Sequence, residues 1–233
     1  MNKALTKPYE IAEDLEIRRL TLHEEIVDRL REMIFQGDLM VGNRVPERDL
    51  CLKFSISRTP LREALKVLAN EGLITLQPNR GAWVTQLTAG DVDELFPIMG
   101  SLEALSGELA CQNATDADIA EVKALHYEMA MYYTRGDRPN YFRVNRSIHE
   151  KIMEIAANPS LLQFYRSLSE RIRRARYLAN ISANRWDASM KEHELILAAL
   201  EGRNGVLLAD LLKAHLLNKQ ESVKRVILDP TCS

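Results

Sequence analysis

Cysteine is scarce: the chain has three in 233 residues, Cys51, Cys111 and Cys232, far apart and with no C-x-x-C pair. That argues against a disulfide-stapled scaffold or a cysteine zinc site and makes a reducing compartment the expectation. Aromatics are only 6%, and ten glycines and eight prolines leave few breakers, a composition that favours helices over sheets. No stretch approaches the roughly 20 apolar residues of a membrane span. Residues 1–20 carry Glu10, Glu13, Asp14 and Glu16 where a signal peptide would have its apolar core. Charge of one sign is missing too: the net value is −2, so any attraction to a polyanion must be local. It is local: residues 44–86 hold seven Lys/Arg against four Asp/Glu, whereas residues 88–233 hold eighteen against twenty. These absences leave a soluble, cytoplasmic protein, with no membrane partner and enough length for two domains.

What is present centres on residues 57–72. Ser57 is a good N-cap, Pro60 sits in a first turn where its missing N–H costs nothing, and Gly72 can close the helix in the left-handed conformation. Leu61, Ala64, Leu65 and Leu68 share one arc, which must be buried. Arg58, Arg62 and Lys66 recur at i, i+4, i+8, and with Thr59 they form an outward arc. A basic arc alone is most often solvated charge, so the flanks decide. Upstream, residues 45–54 read as a short helix with Leu50 and Phe54 inward, joined through Ser55-Ile56. Downstream, residues 73–77 and 82–85 read as strands around a Pro78–Gly81 turn. Helix, turn, helix and hairpin make a winged helix-turn-helix, whose second helix aims its N-terminal residues at base edges.

Pro46-Glu47-Arg48, Ser57 through Leu65, Leu68, Glu71 through Ile74 and Arg80-Gly81 closely resemble the DNA-binding domain of the GntR family of bacterial transcription regulators, over about residues 22–85. The resemblance implies that Arg48, Arg58 and Arg62 contact bases or phosphates of double-stranded DNA, and that Ser57 and Thr59 sit at the same contact, Thr59 on a phosphate. It also implies that the wing tip, Arg80 and Gly81, reaches the minor groove. An arginine fork matches both acceptors on a guanine edge, and glycine lets backbone approach closely.

The rest of the chain divides into a tail at 1–20, the winged head at 21–87, an all-α domain at 88–228 and a short tail at 229–233. In the head, Thr21 is expected to cap a supporting helix with Leu22, Ile26, Leu30 and Ile34 as its stripe. Thr88 starts the second domain with a capping-box pattern. About six helices follow. The first has the stripe Val92, Leu95, Ile98, Leu102, Leu105 and Leu109 and a kink expected at Pro97; another is capped at Thr115, and a later one starts near Asp187. The fold class is therefore mainly α: a winged helix-turn-helix with a small β-hairpin, then a helical bundle.

Within that bundle His149, His193 and His215 fall on three helices, each in the inward register, with Asn145 one turn before His149. Any one of them would ordinarily be a satisfied core histidine. Three converging imidazoles are costly to bury without a cation or hydrogen-bond partners, and they make a good shell for zinc or nickel. His23 and His126 match no pattern and read as surface residues.

This half of the chain resembles the FCD ligand-binding domain of the FadR-type branch of the same family. Members hold a metal with an Asp-x-x-x-His pair and two later histidines, which implies a divalent ion on Asn145, His149, His193 and His215, with Asn145 standing where Asp is usual. Family members also carry an arginine about four residues before Glu103 to clamp a carboxylate effector; here that place is Met99. Of Arg171, Arg173, Arg174 and Arg176, Arg173 is the expected effector-pocket residue. The expectation is a homodimer on a palindromic operator, repressing by analogy, and controlled by a small carboxylate bound near a metal. A metal sensor, in which the ion is itself the signal, is one alternative. The other is a metal-dependent hydrolase, against which helical phase is expected to point Glu150, Glu192 and Glu194 off the histidine face.

Overall fold

The computed structural model describes residues 21–179 and 183–228, so the tails expected at 1–20 and 229–233 lie outside the described residues. Among them the order is α1 (Leu22–Gln36), α2 (Glu47–Phe54), α3 (Arg58–Asn70), β1 (Ile74–Gln77), β2 (Gly81–Val84), α4 (Ala89–Asn113), α5 (Asp116–Thr134), α6 (Arg138–Ile155), α7 (Pro159–Ala179), α8 (Ala183–Glu201) and α9 (Gly205–Leu228). The architecture is a winged helix-turn-helix followed by a helical bundle, as the periodicity predicts.

Local chemistry sets the boundaries. Thr21, Thr88 and Thr115 each close a capping box, with Glu24, Asp91 and Asp118 respectively. In each box the threonine hydroxyl accepts an orphan backbone N–H while the acidic side chain accepts the cap's own N–H. Ser57 stands at the N-cap of α3 as expected but makes no side-chain cap bond, and it stays exposed. The α4 helix continues through Pro97. The α8 helix begins at Ala183, before the Asp187 start that the sequence suggests.

In the head, Leu30 of α1 packs with Leu61, Ala64, Leu65 and Leu68 of α3, all buried. Leu22, assigned to that stripe, is instead 59% exposed, because it lies in the first turn, before the helix reaches its neighbours. The wing is an antiparallel pair registered from Ile74 opposite Val84 to Gln77 opposite Gly81. Gly72 has φ +75°, and a Cβ there would lie 2.7 Å from Arg171 Nε. The end of α3 therefore favours glycine for its backbone, and the Arg171 side chain of α7 fills the space a Cβ would take.

In the bundle the α4–α9 pair is the most extensive helix contact. The buried residues of α4 include Val92, Leu95, Phe96, Met99, Gly100, Glu103, Ser106 and Gly107. Ile98 and Leu105, assigned to the buried stripe, are 52% and 42% exposed. The phase differs because small residues face α9: a Cβ on Gly107 would lie 2.9 Å from Leu212 Cδ1. A stripe of leucines would hold the two helices further apart.

The head rests on the bundle through α1. Phe35 stacks on Phe142 of α6 with ring centroids 6.0 Å apart. The Arg173 guanidinium lies 4.1 Å from the Phe35 ring centroid and donates to Glu32 Oε1 at 2.7 Å.

Candidate nucleic-acid interface and histidine centre

The basic surface of the head is built by α2 and the start of α3. Burial of Leu50 from α2 and Leu61 from α3 in a shared core turns the opposite faces outward. As a result Arg48, Arg58 and Arg62, with Arg44, Glu47 and Asp49, line one cleft of about 480 Å³. Arg48, Ser57, Arg58, Thr59 and Arg62 are all exposed. Arg62 is held lightly, its Nε donating to Glu47 Oε2 at 3.1 Å, with the Arg62 side chain 63% exposed. Water reaches the Arg62 side of this pair and screens it, so the guanidinium is free to turn to a phosphate or a guanine edge, although Glu47 is only 19% exposed.

The sequence reading missed Arg44. It sits in the loop before α2, with no periodicity to mark it, and an isolated bridge to Trp83 ties its backbone to the wing. Arg80 is exposed at the hairpin tip. Gly81 has φ +87°, and a Cβ there would meet the Arg44 guanidinium at 3.2 Å and Glu47 Oε1 at 3.4 Å. In this structure the close approach that Gly81 permits is to Arg44, which links the wing tip to the same cleft.

The second site lies in the bundle. His149 from α6, His193 from α8 and His215 from α9 are buried, with potential ligand atoms all within 4.8 Å of one another. Their ring centroids are 4.8 to 5.2 Å apart. Sequence register therefore placed all three correctly. Around them is a set of charged groups that register did not reveal. Glu192 Oε2 lies 2.5 Å from His215 Nδ1, and the same carboxylate takes both terminal nitrogens of Arg185 at 2.8 and 2.6 Å. Glu103 of α4, 1% exposed, places Oε2 3.3 Å from His149 Nδ1. Lys219, fully buried, donates to Asn145 Oδ1 at 3.3 Å.

Two expectations about this region are corrected. Glu192 does not point away from the histidines: helical phase turns it from His193 on its own helix, but that direction leads to His215 on α9. His126 is 6% exposed, and burial lowers its pKa; its position on the inner side of α5 counts for more than its polarity.

Burial, then the Lys219 ammonium, the two other imidazoles and Arg185, hold the pKa of His215 well below the ordinary histidine value. It is a neutral imidazole at pH 7. With Nδ1–H directed at Glu192, the lone pair lies on Nε2, a buried atom with no hydrogen-bond partner. That is the tautomer and second-sphere carboxylate a metal-ligating histidine uses. The donor set of three imidazoles with an orphaned Nε2 fits a divalent ion of the zinc or nickel class. Asn145 is placed differently from the role the resemblance implies. Its Oδ1 accepts from Lys219 and its Nδ2 contacts His193 Nε2, so its oxygen is directed at the lysine.

Arg173 does not join this site. Its contacts are Glu32, Glu170 and Phe35, at the junction of head and bundle. The side chains of Arg174 and Arg176 lie outside the described residues. Met99 is fully buried in the core shared by α4, α7 and α9.

Two family profiles match the chain: "Bacterial regulatory proteins, gntR family" over residues 22–84 and "FCD domain" over residues 94–218. The Nta operon transcriptional regulator of Aminobacter aminovorans is 30% identical over 191 residues, covering 80% of this chain and 87% of that protein. A probable D-xylose utilization operon transcriptional repressor of Paenarthrobacter nicotinovorans is 29% identical, covering 86% and 88%. The solved structure of McbR/YncC of E. coli superposes with a TM-score of 0.78 at 23% identity, covering 89% of this chain and 99% of that one. A winged DNA-reading head joined to an FCD helical domain defines a class of bacterial regulator. The chain belongs to the GntR family, in its FCD-bearing branch, and is a DNA-binding transcription regulator, not an enzyme.

Proposed function

We propose that the protein is a homodimeric repressor that reads a palindromic operator in the cytoplasm, and that a small carboxylate bound beside a divalent ion at His149, His193 and His215 controls its grip. The observation that carries this reading is the buried histidine trio with its oriented His215 Nε2, set in the bundle on which the head rests. Zinc or nickel held there would act as a Lewis acid on a carboxylate oxygen; His149, His193 and His215 would hold it, with Glu192 orienting His215. A ligand that favours one packing of α6 and α7 would bias the head through the Phe35–Phe142 and Glu32–Arg173 contacts, which requires only a differential affinity of a few kcal/mol.

The dimer reading is supported by the exposed Ile98 and Leu105 of α4, two turns apart on one face, where a second copy could cover them. The relative described as a D-xylose operon repressor supports the sign of regulation.

The test uses a DNA site enriched from random duplexes by the full-length wild-type protein. Arg58→Ala and Arg62→Ala are each expected to weaken binding to that site roughly tenfold to a hundredfold, the worth of one bidentate base contact, with the dimer mass by light scattering unchanged. Wild-type affinity in both variants overturns the assignment of α3 as the reading helix.

A further inference from the structure

Two acidic and two basic side chains surround the histidine trio: Glu103 and Glu192, with Arg185 and Lys219. Lys219 is fully buried, Glu103 is 1% exposed and Arg185 is 8% exposed. A divalent ion held by the three imidazoles would add two positive charges to a buried pocket that already contains Arg185 and Lys219, where an uncompensated charge is strongly disfavoured. The position next to His149 that could supply a compensating carboxylate holds Asn145.

The carboxamide adds a second obstacle. A lysine ammonium can only donate, so the oxygen of Asn145 must face Lys219 and its NH₂ must face His193 Nε2. That contact takes up Nε2, one of the two ring nitrogens His193 has to offer an ion. Rotating the amide to present its oxygen would turn the NH₂ on the ammonium. Lys219 therefore holds Asn145 as a plug on one of the three ligands.

We infer that Lys219, through its charge and its hold on Asn145, makes ion binding at the trio conditional on an anion. The pocket takes a divalent cation well only together with a small carboxylate, whose charge offsets part of the ion's and whose oxygen attracts the ammonium away from Asn145. Linkage makes this reciprocal: the ion strengthens carboxylate binding by the same factor. The regulator then responds to ion and acid together. The inference rests on the proposal that the trio binds a divalent ion, and the experiment separates the two.

The full-length protein, stripped of metal with a chelator and dialysed, is titrated with Co²⁺ followed by its visible d–d absorption, with and without excess acetate. Wild type is expected to gain roughly tenfold or more in Co²⁺ affinity when acetate is present. Lys219→Met, which keeps the length and removes the charge, is expected to bind Co²⁺ without acetate as tightly as wild type does with it. Asn145→Asp, which restores a carboxylate, is expected to do the same. Far-ultraviolet circular dichroism checks that each variant is folded; if Lys219→Met is not, the wild-type comparison and Asn145→Asp decide. Equal wild-type affinity with and without acetate overturns the inference, as does acetate dependence retained in both variants. Failure of wild type and both variants to bind Co²⁺ under either condition overturns the metal site itself.

Discussion

The head and the bundle use the same charged side chains in opposite ways. In the head Arg48, Arg58 and Arg62 are exposed over an apolar core, and Arg62 pairs with the carboxylate of Glu47. In the bundle Arg185, Lys219, Glu103 and three histidines are buried together, each joined to a group from another helix. A surface arginine keeps its interaction energy available for DNA, because water screens its protein partners. A buried one has committed that energy to a particular carboxylate, and removing that partner leaves a charge without solvent. One region leaves its charges facing solvent, and the other holds them on partners inside the protein.

Substitutions that remove one carboxylate from each region test this contrast most directly. Glu192→Ala removes the group that binds Arg185 and His215 at once and is expected to cost about 3 kcal/mol, toward the lower end for a broken buried pair since Glu192 keeps some solvent contact. Chemical denaturation measures it, and a loss under about 1 kcal/mol would mean that water reaches this network and the contrast is false.

The next effect is confined to acid. Because burial lowers the pKa of His126 from the ordinary 6.5, the unfolded chain takes up a proton at a pH where the folded chain does not. Its contribution to stability is therefore complete above about 6.5 and is lost as the pH falls below that value. His126→Phe should flatten the fall in denaturant midpoint between neutral and mildly acid buffer, and an unchanged slope would show that His126 titrates in the folded state as it does in the unfolded chain.

The smallest effect belongs to the head. Glu63→Ala breaks the Lys66–Glu63 pair, whose side chains are 60% and 53% exposed, and should shift stability by about 0.5 kcal/mol or less. A cost equal to that of Glu192→Ala would remove the distinction between the two regions.

Much of this was legible before any coordinates. Thr21, Thr88 and Thr115 marked three helix starts, since an N-cap is a local arrangement. The recognition helix and the wing were legible because their periodicities change from 3.6 to 2 within a few residues, across Gly72. His149, His193 and His215 could be grouped because each lies on the apolar arc of its own helix. The reading failed where the partner came from another helix. Ile98 and Leu105 looked like core until Gly100 and Gly107 brought α9 close on a different face, and Glu192 looked idle until His215 was found in its path. Arg173, chosen for an effector pocket, meets Glu32 and Phe35 of the head, a contact 141 residues away in sequence.

What the chain determined alone was everything governed by neighbours within about a turn: caps, breaks, the buried arc of α3 and the outward basic arc opposite it. Only the packing of helices decided which buried polar groups meet, because that depends on how closely two helix axes approach and at what rotation. Glycines and alanines set those distances without announcing what they bring together. The acidic and basic side chains around the histidine trio meet through that packing, and no single helix contains the pattern.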